Sequence, residues 1–447
     1  MSESERAEEL IDLVGSNDLT GIRLWLAEHR PHEIAGELSR MTGREAIIPF
    51  RLLDKDRELE VFEELDPGQQ QSILLSLRDT AFHELLEEME PDDRARLIGE
   101  APAKIATRAL AGLSPSERKM TAALLGYPED SVGRYMTPET VILHRDLTVG
   151  RALEVVRAKG AVAETIYTLP VVSDGRRMVG TVSLRDLVIS DDDRLLKDVV
   201  DVFAPRARAT EQVEGAARLM QEANLVSLPV VDSEERFLGL LTFDDALEVI
   251  EAADSEDMAR QSGASPLSDH YVSVGVLRLV GARSVWLMLL IVAATLTVNV
   301  MQVFEATLEE VTALAMFVPM LIGTGGNVGA QSATAIVRAL AVGEVRVRDL
   351  PSVIWKEARV GLLLGLMLAG LAMVIGSLLV GTTIALVVAC SVIAVCTWAA
   401  VIGSSMPLLA RKVNVDPAVV SSPMVATLVD ATGLLIYFSV ARMILGV

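Results

Sequence analysis

The chain has 447 residues and a formal net charge of −21, yet 51% of its residues are hydrophobic and its mean hydropathy is +0.40. From Gln261 onward ten Lys and Arg face nine Asp and Glu, a net of +1, which leaves −22 for residues 1–260. One half is therefore an acidic soluble protein and the other is nearly uncharged and apolar. Such acidity excludes nucleic acid, whose phosphates need clustered Lys and Arg, and suits a cationic partner, although acidic surfaces also serve solubility alone. Cys390 and Cys396 both fall in an apolar stretch and make neither a disulfide framework nor a zinc site. The opening MSESERAEEL is polar, so no cleavable signal peptide is expected.

In chain order, the first feature is an internal repeat. Met41-Thr-Gly-Arg, Leu65-Asp-Pro-Gly, Met89-Glu-Pro-Asp and Leu113-Ser-Pro-Ser recur every 24 residues, with Leu-rich stretches between them. The period predicts a helical solenoid within an N-terminal domain, residues 1–130. It carries no catalytic constellation.

A second repeat fills residues 131–252. Leu169-Pro-Val-Val172 returns as Leu228-Pro-Val-Val231, and Gly180-Thr-Val-Ser183-Leu-Arg-Asp186 as Gly239-Leu-Leu-Thr242-Phe-Asp-Asp245, both 59 residues on. Each copy reads helix, strand, turn, strand, helix, so two equal α/β modules are expected at about 134–192 and 196–252. This pattern resembles a tandem CBS pair. The resemblance implies an adenosine nucleotide such as ATP, with Asp186 and Asp245 near its ribose, although an Asp at this position also caps the following helix. Next comes an acidic run whose Asp245, Glu248, Glu251 and Glu256 recur at helical spacing, one anionic face of a connecting helix. Like charges so placed destabilise a lone helix unless a cation lies against them; a solvated linker face is the alternative. Residues 253–282 then form this connector and an amphipathic interfacial helix over 270–282.

Five stretches, at about 284–304, 311–338, 358–380, 384–410 and 418–441, are long enough to cross a bilayer, and with their loops make up residues 283–447. Arg278 and Arg283, then Arg346, Arg348, Lys356 and Arg359, then Arg411 and Lys412 mark one side; the loop with Glu305, Glu309 and Glu310 marks the other. Charge bias places the N-terminus inside and the C-terminus outside. Asp430 is the single ionisable residue expected near mid-bilayer, where a carboxylate costs several kcal/mol unless it meets water, a cation or a partner. A protonated Asp bonding between helices is the structural alternative. In the second span, Pro319 to Gln331 holds one Pro, four Gly, Asn327 and Gln331, and predicts a helix broken at membrane depth; Gly325 and Gly329 also form a small-residue packing pair. In the fifth, Pro423, Thr427 and Asp430 share a face, and Asp416-Pro417 reads as the helix start. Oxygen donors without sulfur or imidazole suit a hard cation, Mg²⁺ above all.

A multi-domain chain with an all-α solenoid, an α/β tandem CBS pair and an all-α polytopic transmembrane domain with five spans is similar to the MgtE family. Pro319–Gln331 and the stretch from Asp416 to Arg442 carry the resemblance. It implies a Mg²⁺-selective channel or transporter for magnesium uptake, a homodimer in the bacterial inner membrane. Its pore would use Asp430, with Asp416 at the cytoplasmic mouth and Asn327, Gln331, Pro423, Ala426 and Thr427 along the path. The pore would be closed by regulatory Mg²⁺ at Asp92, Asp93, Asp245, Glu248, Glu256 and Asp257. Ala330 and Ser422 depart from the family by replacing amides near that path. The rival readings are a secondary transporter using Asp430 as a proton site and a tethered nucleotide sensor; an enzyme is not expected, because no nucleophile–base pair or phosphate-binding loop occurs.

Overall fold

The computed structural model describes residues 10–267, 271–420 and 422–446. Its contacts divide it into two units: residues up to Ala253 with the short segment through Val274, and Asp254–Leu267 with Gly275 onward.

The first unit opens with helices α1 (Leu19–Glu28), α2 (Pro31–Ser39), α3 (Gly43–Phe50), α4 (Lys55–Glu63), α5 (Pro67–Ser76), α6 (Asp79–Glu88), α7 (Pro91–Glu100), α8 (Ala103–Gly112) and α9 (Pro115–Leu125). The 24-residue period reappears as the starts Gly43, Pro67, Pro91 and Pro115; proline is suited to the first turn because its missing N–H has no intrahelical partner there. Ile34, Leu38, Phe50, Phe62, Ile73, Phe82 and Leu86 build one continuous core between them. Long polar side chains close the helix ends, whose last carbonyls lack partners. Gln69 donates to Leu38 and Met41 carbonyls, buried Arg94 to those of Leu86 and Met89, and Arg108 to those of Leu74 and Leu77.

The α/β part holds β1 (Leu143–His144), α10 (Val149–Lys159), β2 (Thr168–Val172), β3 (Met178–Ser183), α11 (Leu184–Ile189), β4 (Ala207–Arg208), α12 (Val213–Ala223), β5 (Ser227–Val231), β6 (Phe237–Thr242) and α13 (Phe243–Gln261). Its two sheets, β1-β2-β3 and β4-β5-β6, repeat each other in register and share a bulge, at Val171/Val172 and Val230/Val231. Val172, Met178, Val231, Phe237 and Leu240 pack the modules together. Ala95 and Leu124 of the solenoid join the core of the second module, so the solenoid's C-terminal helices pack on that module.

In the second unit, α14 (Val276–Val303), a short α15 (Glu305–Glu310), α16 (Val318–Ala341, preceded by a 3-10 turn at Thr312–Phe317), α17 (Leu350–Val380), α18 (Thr382–Lys412) and α19 (Ser422–Leu445) supply, among the described residues, five helical stretches long and apolar enough to span a membrane. Three expectations are corrected. No break follows residue 282, because the helix begins at Val276 and runs to Val303; residues 271–274 are turn and bend, and His270 lies outside the described residues. The glycine-rich α16 is an unbroken helix. Its glycines serve close packing: a Cβ on Gly325 would stand 2.7 Å from Val395 Cγ1, and one on Gly403 of α18 only 2.2 Å from the Gly329 carbonyl oxygen. Asp416-Pro417 starts a separate 3-10 turn, Pro417–Val419, with α19 beginning at Ser422. Asp430 therefore stands only about 12 Å along α19, eight residues beyond Ser422 rather than fourteen beyond Asp416.

Candidate functional site: a carboxylate between two membrane helices and an acidic cluster

Helices α16 and α19 meet at their smallest residues. A Cβ on Gly326 would lie 3.4 Å from Ala426 Cβ and 3.5 Å from Asp430 Oδ1, so this glycine leaves the space beside the carboxylate. A hydroxyl pair, Thr334 Oγ1 and Ser422 Oγ at 3.2 Å, ties the same helices further along. Asn327 and Gln331 lie four residues apart on α16 and are exposed, while Pro423, Ala426, Thr427 and Asp430 are half-buried on α19. Thr427 donates its proton to the Pro423 carbonyl at 2.9 Å, which leaves its oxygen's lone pairs able to accept. The structure thus places the sequence-predicted residues on two helices packed against each other, with Gly326 of α16 beside Ala426 and Asp430 of α19. Trp398 Nε1 donates to Thr432 Oγ1 at 3.0 Å, and Tyr437 donates to the Leu314 carbonyl at 2.9 Å; both hold α19 in place. Glu357, which span counting left just outside the third helix, lies within α17 and accepts a 2.9 Å hydrogen bond from Ser332 of α16.

Asp416 uses one oxygen to cap its 3-10 turn, accepting from the Ala418 N–H at 2.9 Å. The other is paired with Arg260, whose second amino group is paired with Glu256. Asp257 lies beside Glu256 in the same turn of α13.

The remaining expected acids cluster in the first unit. Asp92, in the first turn of α7, is 3% exposed, and among the described residues neither of its oxygens accepts a hydrogen bond from another residue. One oxygen each of Glu90, Asp92 and Glu164 lie within 4.8 Å of one another, as do those of Glu164, Asp244 and Asp245. Glu90, Glu164 and Asp244 are additions to the set read from the sequence. Burial, reinforced by Asp245 and Glu164, holds Asp92 well above the usual carboxylate range, and burial pushes Glu164 up to about 7. Burial likewise raises Asp245, against the hydrogen bond it accepts from Thr242 at 2.7 Å. Arg96 contacts the flank of the cluster, pairing with Asp93, with Glu248 at 3.1 Å and with Asp245 at 3.7 Å. Asp186 accepts from the Ser183 hydroxyl at 2.6 Å while Ser183 caps α11, so its first task is the helix start.

Long apolar helices in one chain with a helical solenoid and paired α/β modules define a multi-pass membrane protein. Family models agree: one described as a divalent cation transporter matches residues 318–440, one for the MgtE intracellular N domain matches 29–130, and the CBS domain matches 132–192 and 197–252. The magnesium transporter MgtE of Thermus thermophilus is 38% identical over 454 residues, covering 99% of both chains. That of Bacillus subtilis is 28% identical and covers 99% of this chain and 98% of its own. A crystal structure described as the cytosolic domain of the Mg²⁺ channel MgtE in complex with ATP superimposes with a TM-score of 0.50 at 33% identity, over 55% of this chain and all of that one. The chain belongs to the MgtE family of magnesium transporters.

Proposed function

We propose that this magnesium transporter is a passive channel, a homodimer in the bacterial inner membrane with its N-terminus inside and its C-terminus outside, closed by Mg²⁺ bound to its cytosolic acids. The reading rests on Asn327 and Gln331, exposed on α16, and Thr427 and Asp430, half-buried on the α19 packed against it, which would form a polar strip on helices otherwise apolar enough for lipid. A carboxylate and two amides facing hydrocarbon would be costly, whereas a second copy laid strip to strip turns them into a water-filled path. Mg²⁺ keeps most of its waters, so Asp430 and neighbouring oxygens would bind it through its hydration shell, and Asp416 would meet it at the cytoplasmic mouth.

For closure, the donor set fits Mg²⁺: carboxylates alone, with Asp92 buried and lacking a hydrogen-bond donor. Asp92, Asp93, Asp245 and Glu248, with Glu90, Glu164 and Asp244, would hold the ion, while Glu256 and Asp257 would act nearer the mouth. The ion shifts the gate only by binding the closed form more tightly. The test is Mg²⁺ flux against internal Mg²⁺: the wild type should be inhibited, and Asp92→Asn should conduct without inhibition. Equal inhibition of both would overturn the gating site. The ATP-bound relative supports a nucleotide on the CBS pair as well, with Asp186 toward the ribose and Asp245 shared with the acidic cluster. Calorimetric titration with ATP tests it, Asp186→Ala being expected to weaken binding.

A further inference from the structure

We propose that Arg260 is a tethered cation that competes with Mg²⁺ for Asp416 and so acts as an electrostatic latch on the pathway; this rests on the reading of Asp416 as part of the ion path. The arginine occupies the last turn of α13, and its two amino groups are shared between Glu256, one turn back, and Asp416, which precedes the fifth membrane helix. A guanidinium fork suits this bridge, because two separate N–H groups reach two separate carboxylates. With Oδ1 of Asp416 committed to the Ala418 N–H, Oδ2 is the oxygen left for a cation, and Arg260 holds it. An ion reaching Asp416 must displace the guanidinium, which remains at high local concentration because it is covalently attached.

Both side chains are about one-third exposed, 34% for Arg260 and 35% for Asp416, so the pair is open to water and screened by salt. Displacement is therefore within reach of a divalent ion.

Initial Mg²⁺ uptake into vesicles loaded with chelator tests the latch. Arg260→Gln should raise the rate about fivefold, the factor that about 1 kcal/mol of exposed ion pair gives, and Arg260→Lys, which keeps the charge but not the fork, should fall between the two. Arg260→Gln should add nothing on an Asp416→Asn background. Raising monovalent salt should bring the wild-type rate up toward that of Arg260→Gln and leave the variant unchanged, which a merely structural role would not do. Equal rates for wild type and Arg260→Gln at every salt concentration would overturn the latch alone. Wild-type vesicles that take up no Mg²⁺ would overturn the transport pathway and the latch with it.

Discussion

Replacing Asp92 by Asn should make the metal-free protein more stable, the reverse of what most changes at a buried polar position do. Asp92 stands within 4.8 Å of both Glu90 and Glu164. Two unit charges at that distance repel by about 3.5 kcal/mol at an effective dielectric of about 20, so the two pairs approach about 7 kcal/mol. Protonation relieves most of this, because Glu164 already ionises only near 7. A residue of about 2 kcal/mol should remain in mildly alkaline buffer, or about 4–8 °C in the melting temperature of a unit this size. The asparagine amide also gives the neighbouring carboxylates a donor. Saturating Mg²⁺ should stabilise the wild type by about 2.7 kcal/mol at about a hundred times its dissociation constant, and Asp92→Asn by less than half of that. Thermal unfolding followed through Trp25, which is buried in the solenoid, reads both effects. A variant that melts lower than wild type in chelator and gains as much from Mg²⁺ would refute the argument that these acids await a cation.

Glu63 and Glu164 have ordinary values of 4.5 and are pushed up to about 7 by burial, so the folded chain holds extra protons across that window. Burial pushes Glu90 higher still, to about 8, so metal-free stability should fall as pH rises from about 4.5 to about 8 and then level off, and Mg²⁺ should restore it above that range; melting curves over a pH series check this, and a rise with pH would contradict it. Gly403→Ala should separate α16 from α18, since its Cβ would lie 2.2 Å from the Gly329 oxygen. The expected cost is about 1–3 kcal/mol, measured as a lower melting temperature in detergent. Arg96→Gln removes the cation beside Asp93, Asp245 and Glu248 and should make metal-free stability more sensitive to added Mg²⁺, seen as a larger Mg²⁺-induced shift.

Elements set by local chemistry were readable from the chain. Proline at the first helical position fixed the solenoid starts at Pro67, Pro91 and Pro115, and the 59-residue repeat reappears as two sheets in equal register. Charge and hydropathy found the five membrane helices, though not the starts of the first and third. What depended on distant partners was not readable. A glycine run breaks a helix or packs one according to what lies beside it, and here Val395, Val429 and Ala399 lie beside Gly325 and Gly329. Asp430, Asn327 and Gln331 stood out as polar residues in apolar spans. Glu90, Glu164 and Asp244 did not, because one acid among many carries no signal until the fold places it against Asp92. The arginines were missed because the acids were counted as a face, while Arg96 and Arg260 each gain meaning from carboxylates on another element.

The central claim is that Mg²⁺ passes the carboxylate between α16 and α19. Its most direct measurement is Mg²⁺ flux through reconstituted wild-type and Asp430→Asn proteins, with equal folding confirmed by melting. The account predicts flux in the wild type that follows the Mg²⁺ electrochemical gradient alone, and its loss in Asp430→Asn. Undiminished flux in the variant, or wild-type flux that requires a proton or Na⁺ gradient, would contradict it.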